Sequence, residues 1–195
     1  MDDTKKMRGR PRHFDPDKAI ATAQKLFHAR GYDGVSVSDV TQAIGINPPS
    51  FYSAFGSKAG LYARVLDHYN ATGAILFADI LRADRPVAEA LANLLEEAAR
   101  HYSADQMAAG CMVIEGARCN DADARNAARV FQQAAETMIH DYIAQRHPDK
   151  ARSLTDFICT TMAGLSAQAR NGYDLERLLD VSRVASLSLS AALAD

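Results

Sequence analysis

Between Ser36 and Phe55 the chain reads SVSDVTQAIGINPPSFYSAF, and these residues suit contact with a polyanion better than catalysis. Val37, Val40 and Ile44 recur at spacings of three and four, the buried face of a short helix. Gly45 ends that helix, Asn47 caps a second one, and Pro48 takes its first position, where a missing N–H costs nothing. Phe51 and Phe55 are the core anchors of this second helix. Two helices joined in this way form a helix-turn-helix, which lays its second helix in the major groove of DNA. The first turn of that helix points at base edges, so Pro48, Pro49, Ser50 and Ser53 are the expected readers. None of them can make the bidentate pairing of arginine to guanine or asparagine to adenine. Direct readout then rests on thymine methyls, serine hydroxyls and DNA shape. Lys58 and Ser36, both at helix starts, are expected phosphate contacts because helix N-termini attract anions. Asn47 reads equally as a cap or as a DNA contact.

The flanking elements must hold this motif. Upstream, Asp15 caps a helix that opens on Pro16, carries Ile20, Ala23 and Phe27 on one face and ends at Gly31. Downstream, Ser57 caps a longer helix with Leu61 and Val65 inward, expected to continue through Ile75, Leu76 and Ile80 to about Leu81. The stretch from Ala23 to Tyr62 carries AxxLFxxxGYxGxSVxDVxxxxGINxxSFYxxFGSKxxLY. That signature is long and demanding, and it resembles the TetR family of bacterial transcriptional repressors over residues 12 to 70. The resemblance implies an all-α chain of about nine helices, with a three-helix head over 15–70 and a larger effector-binding and dimerisation body over 71–195. It further implies that Tyr52 donates to a phosphate and that the middle helices enclose an effector pocket whose occupation changes the separation of the heads. The last two helices would pair with their copies across a two-fold axis, so that the homodimer meets a palindromic operator.

Net charge of −2 conceals a division. Residues 1–70 hold ten Lys and Arg against seven Asp and Glu, whereas the remainder holds twelve against seventeen. The cationic excess lies where phosphate would be met. Much of it sits in an arm over residues 1–14, where Arg8, Arg10 and Arg12 alternate with Gly9 and Pro11 as minor-groove hooks do. No apolar run reaches the length of a membrane span, and MDDTKKMRGR lacks a signal-peptide core, so a cytoplasmic protein with no membrane partner is expected. Three cysteines, an odd number, point to free thiols in a reducing compartment.

The body shows helical periodicity throughout. Val87, Leu91, Leu94, Leu95, Ala98 and Tyr102 form one stripe after Pro86, and Val130, Phe131, Ala134, Met138 and Tyr142 another. Two more helices are expected, over about 149–169 and 175–193. Leu154, Ile158, Leu165, Leu178, Val181, Leu189 and Leu193 would supply apolar area to the dimer, with small residues such as Gly164 and Ala185 allowing close approach. Candidate pocket residues are Leu94, Leu95, Ala98, Tyr102, Met107, Cys111, Met112, Phe131, Met138 and Phe157. His101, Glu115, Arg118 and His140 stand near these stripes and read as solvated surface.

Cys111 follows Gly110 at the start of a short segment, where a helix dipole would lower its pKa, and similar Gly-Cys-hydrophobic starts occur in thiol-sensing members of the family it resembles. An alternative is therefore redox or electrophile sensing through Cys111. Cys159 reads as inert packing. No HExxH or CxxC occurs and the six histidines are scattered, so neither catalysis nor a metal or other cofactor is expected. A ligand-independent architectural DNA binder is the other alternative, and the large helical body argues against it.

Overall fold

The computed structural model describes residues 15–194, so Arg8, Arg10 and Arg12 lie outside the described residues. The described residues form α1 (Pro16–Arg30), α2 (Val37–Ile44), α3 (Pro48–Phe55), α4 (Lys58–Thr72), α5 (Phe77–Ile80), α6 (Val87–Ser103), α7 (Met112–Gly116), α8 (Ala122–Ala144), α9 (Ala151–Arg170) and α10 (Leu175–Leu193). Among them there is no strand, nine helices have five residues or more, and α5 is a single turn. Two 3-10 turns, Gln106–Ala108 and Pro148–Lys150, interrupt the connections before α7 and α9.

Side-chain caps set most of the helix starts. Asp15 Oδ1 accepts from the Asp17 and Lys18 amides, Ser57 Oγ from Gly60, Asp121 from Asp123 and Ala124, and Asp174 from Arg177. Each satisfies amides that have no partner within the helix. The long helix expected to reach Leu81 stops instead at Gly73, whose N–H closes onto the Tyr69 carbonyl at 2.8 Å. Beyond it Ile75 and Phe77 both pack against the body core. Residues two apart point to different sides of a helix, so the chain has to unwind to bury both.

The head core is an aromatic cluster. Tyr62 stands edge-on to Phe27 and to Tyr32, each at 5.0 Å between ring centroids, with Phe51, Leu61 and Val65 buried around them. This core is completed by residues far along the chain, since Met112, Ala117, Cys119, Ala124 and Ala128 are buried in the same cluster. The Tyr62 hydroxyl donates to the Met112 carbonyl at 3.3 Å, and the Tyr32 hydroxyl to Asp121 Oδ2 at 3.0 Å. The functional boundary expected at residue 70 is thus crossed by one continuous core.

In the body, α6 is the central element, burying Leu91, Leu94, Leu95 and Ala98 between α9 and α10. The Ser182 hydroxyl of α10 reaches the Leu95 carbonyl at 3.1 Å. This packing corrects the expected dimer residues. Leu154, Ile158, Leu165, Leu178 and Leu189 are buried in the chain's own core, because α6 takes the apolar stripes of both helices. The faces left outward are Val181, Val184 and Leu187 on α10, with Phe157, Thr160 and Gly164 on α9.

Gly116 ends α7 against the Tyr62 hydroxyl and the Ala128 methyl, and a methyl group added there would overlap both. Gly116→Ala is expected to lower unfolding stability by about 1–3 kcal/mol in urea titration. Tyr62→Phe in the same chain should recover part of that loss, because it removes the clashing oxygen. Strictly additive effects of the two substitutions would refute the contact.

Candidate nucleic-acid interface and cavity

α3 presents an uncharged, solvent-facing surface. Pro48, Pro49, Ser50, Tyr52 and Ser53 are all exposed, while Phe51 and Phe55 are buried beneath them. Tyr52 is 53% exposed and lies edge-on to Phe51 at 5.3 Å, a large hydroxyl-bearing ring standing off the core. Asn47 is exposed and its Oδ1 accepts the Ser50 amide at 2.9 Å, so its cap role is visible.

Two expected phosphate contacts are otherwise engaged. Lys58 Nζ donates to the Tyr32 carbonyl at 3.1 Å and the Val35 carbonyl at 3.0 Å, and sits 3.8 Å from the centre of the Tyr32 ring. It braces the turn between α1 and α2, reaching backward across the head, which the sequence position alone did not suggest. Ser36 forms a reciprocal capping box with Asp39: its hydroxyl accepts the Asp39 amide at 3.1 Å, and its own amide donates to Asp39 Oδ2 at 2.7 Å, with the hydroxyl also donating to Oδ2 at 2.6 Å. The Ser36 hydroxyl and amide, with Arg30 nearby, hold the Asp39 carboxyl down to about 2. A carboxylate therefore already occupies the anion-attracting start of α2.

Behind the head, α4, α6, α7, α8 and α9 enclose a cavity of about 340 Å³. Of the residues expected to line it, Tyr102, Cys111 and Phe131 do so. Leu94, Leu95, Ala98 and Met112 are instead fully packed core, at 0–1% exposure, because α6 turns that stripe onto α10 and α9 and Met112 closes the head core. Met107 (78% exposed), Met138 (46%) and Phe157 (37%) face away from the cavity. The wall also includes Tyr69, His101, Arg118, Arg129, Gln132 and Cys159; His101 is half-buried there rather than solvated, whereas Arg118 borders the cavity and is exposed, as expected. His140 is at the surface beside Asp141, and Glu115 faces Arg170. One signal in the sequence could have found the α8 wall. Arg129, Gln132, Glu136 and Ile139 recur at spacings of three and four, a mixed stripe ending on a buried residue.

Cys111 is the N-cap of α7 and its half-buried thiol lines the cavity. Burial pushes that thiol up, against the opposing pull of the Ile114 and Val113 amides and the Tyr69 hydroxyl. This reverses the direction expected from the helix start. α7 has only five residues, too short a dipole to outweigh desolvation. Cys159, expected as plain packing, shares the cavity wall, and burial moves its thiol up to about 11.

A chain of bonds links this wall to the head. The Cys111 amide donates to Ser166 Oγ at 2.9 Å. The neighbouring Gly110 carbonyl accepts from His28 Nε2 of α1 at 3.1 Å, and Arg170 Nη2 of α9 donates to the His28 carbonyl at 2.8 Å. Arg170 Nε stands 3.7 Å from Glu115, a charge contact too long for a hydrogen bond. Gly110 has φ +81°, and a methyl group there would press on Ser166 and Arg170, so glycine is required on both counts.

Burial, with Arg170 close by, lowers the pKa of His28 from its ordinary 6.5, which keeps the ring neutral in the fold. A group with a depressed folded-state pKa takes up its proton more readily unfolded, so stability falls as pH drops below about 6.5. Urea stability of the wild type should therefore decline between pH 7 and pH 5 more steeply than that of His28→Gln. Parallel slopes would refute the assignment.

A family model described as "Bacterial regulatory proteins, tetR family" matches residues 19–65, which span most of α1 through the middle of α4. The chain is similar to the HTH-type transcriptional repressor BdcR of Escherichia coli K12, with 54% identity over 185 residues, covering 95% of this chain and 94% of that protein. It is 30% identical over 190 residues to the E. coli K12 repressor ComR, covering 91% and 90%. Among solved structures, a cysteine mutant of the TetR family regulator CifR in complex with 26-bp operator DNA superposes with a TM-score of 0.80. Its identity is 32%, covering 91% of this chain and 98% of that one. On the head signature and these full-length relationships together, the chain belongs to the TetR family of bacterial transcriptional regulators.

Proposed function

We propose that this protein is a homodimeric transcriptional repressor that binds a two-fold symmetric operator through α3 and releases it when a small molecule enters the cavity. The observation that carries the reading is the bonded path from cavity wall to head. Cys111 and Tyr102 both line the cavity, Gly110 donates to the Tyr102 carbonyl at 2.8 Å, and the same glycine holds His28 in α1. Displacing the wall moves the anchor of α1, and α1 shares its core with the recognition helix. A ligand shifts such an equilibrium only as far as it prefers one arrangement of these bonds to the other.

The outward faces of α9 and α10 supply the dimer contact. Val181 is 44%, Val184 65% and Leu187 72% exposed in the single chain, and nothing surrounds the place a Gly164 side chain would take. Apolar exposure along one helix face, beside a glycine that lets a second helix approach, suits a four-helix contact about a two-fold axis. Two recognition helices then meet half-sites about 34–36 Å apart. In this reading Tyr52 donates to a phosphate from the exposed face of α3, Asn47 adds a contact from its free amide nitrogen, and Lys58 acts as an internal brace. Similarity to named repressors also supports regulation of transcription rather than catalysis.

Fluorescence anisotropy with DNA from upstream of the protein's own gene, at two salt concentrations with unlabelled competitor, tests the reading. Competitor-resistant binding about 10³-fold or more above non-specific DNA is expected. Tyr52→Phe should weaken binding to every sequence alike with little change in salt slope, since no cation is lost. Leu187→Glu should shift the protein towards monomer in sedimentation and weaken operator binding. Unaltered dimerisation and affinity in both variants would overturn the assignments.

A further inference from the structure

We infer that the cavity takes a small amphipathic carboxylate, its apolar body inside and its anionic head against Arg118 and Arg129. The inference rests on the effector-released reading above and names the chemistry of the effector. The buried and half-buried part of the cavity wall holds no charged residue. Its polar groups are the Tyr69 and Tyr102 hydroxyls, the Cys111 and Cys159 thiols and His101, whose Nε2 meets the Tyr69 hydroxyl at 3.4 Å. Burial keeps that imidazole neutral. A charged group placed among them would be desolvated without a partner, so the interior selects an apolar body with polarity to spare only for hydroxyl contacts.

Charge is confined to the α7–α8 side. Arg118 follows α7 and Arg129 lies on α8, and Glu136 is the single acid in the wall; all three are exposed, at the solvent-facing edge of the cavity. Neither arginine holds an ion pair or a side-chain hydrogen bond among the described residues. Arg30, Arg82, Arg100, Arg152, Arg170 and Arg183 each face an acid, Arg125 and Arg146 bind backbone carbonyls, and Arg64 and Arg177 lie over aromatic rings. Two guanidiniums on one wall suit a planar carboxylate, which they can bind through paired N–H donors. Along α8 the lining runs from Arg129 to Ile139, about 15 Å at the helical rise. It passes from cation through Gln132 and Glu136 to an apolar end at Ile139, near Phe77. A one-headed molecule with its charge at the Arg129 end matches that gradient. The volume of about 340 Å³ is near the lower limit of ligand sites, which calls for a short body.

Isothermal titration calorimetry on the full chain without DNA tests the inference, using decanoate and 4-phenylbutanoate against decan-1-ol and decylamine, all below micelle-forming concentrations. At least one carboxylate should bind with one site per protomer, about tenfold or more tighter than the alcohol, and the amine should be weakest. Arg118→Gln with Arg129→Gln should reduce carboxylate affinity to that of the alcohol while leaving the alcohol's affinity unchanged, which shows the cavity intact. Equal binding of alcohol and carboxylate, preference for the amine, failure of both carboxylates to bind, or indifference of the double variant would each overturn it. Operator binding is measured separately, without ligand. Retained operator binding with no carboxylate binding removes this inference and leaves the repressor; carboxylate binding that releases no DNA supports the ligand class and removes effector release.

Discussion

The contact on which the rest of the structure depends is the meeting of Tyr62 with the backbone of α7. Its ring is buried between Phe27 and Tyr32, its hydroxyl bonds the Met112 carbonyl, and Gly116 and Ala128 close over the same oxygen. A small three-helix head buries too little surface to be robust by itself. Here it borrows five residues of α7, α8 and their connection to finish its core. The head thereby gains stability and gives up independence, since α7 cannot shift without disturbing the packing under α2 and α3.

That shared core explains where the cavity lies. α7 is a five-residue element, and Cys111, Val113 and Ile114 on and beside it line the cavity while packing against the two cores. One short element is therefore wall to the cavity and floor to the head. Ser166 ties its leading loop to α9, His28 ties that loop to α1, and Arg170 of α9 binds the His28 carbonyl. Three helices of different regions converge within two residues of Gly110, which makes the loop a natural place for two arrangements to compete.

Local rules carried the sequence reading well wherever a residue acts on its near neighbours. The caps at Asp15, Asn47 and Ser57 and the glycine stops are spaced by the helix itself, so type and spacing suffice to place them. What failed depended on the opposite surface. Leu94 and Leu95 were rightly inward, but periodicity says only which face is buried, and α10 fills the space they face. His101 shares that helix and looks solvated by type, yet it turns into a gap between α4 and α8. Lys58 shows the same limit: its side chain spans 26 and 23 positions back to carbonyls that no local pattern marks. The dimer helices were legible as elements, whereas the residues on their outward faces were not, because α6 decides which stripe is consumed internally.

The start of α3 has a consequence for the energetics of docking. Pro48 and Pro49 carry no N–H, the Ser50 amide is held by Asn47 Oδ1, and the Phe51 amide by the Asn47 carbonyl. An ordinary helix would present up to four hydrated amides at this end, each stripped of water as it enters a groove. From Pro48 to Phe51 every backbone donor of this helix is absent or satisfied. Its tip can enter a groove without stripping water from backbone amides, which leaves dehydration to the side chains and the DNA.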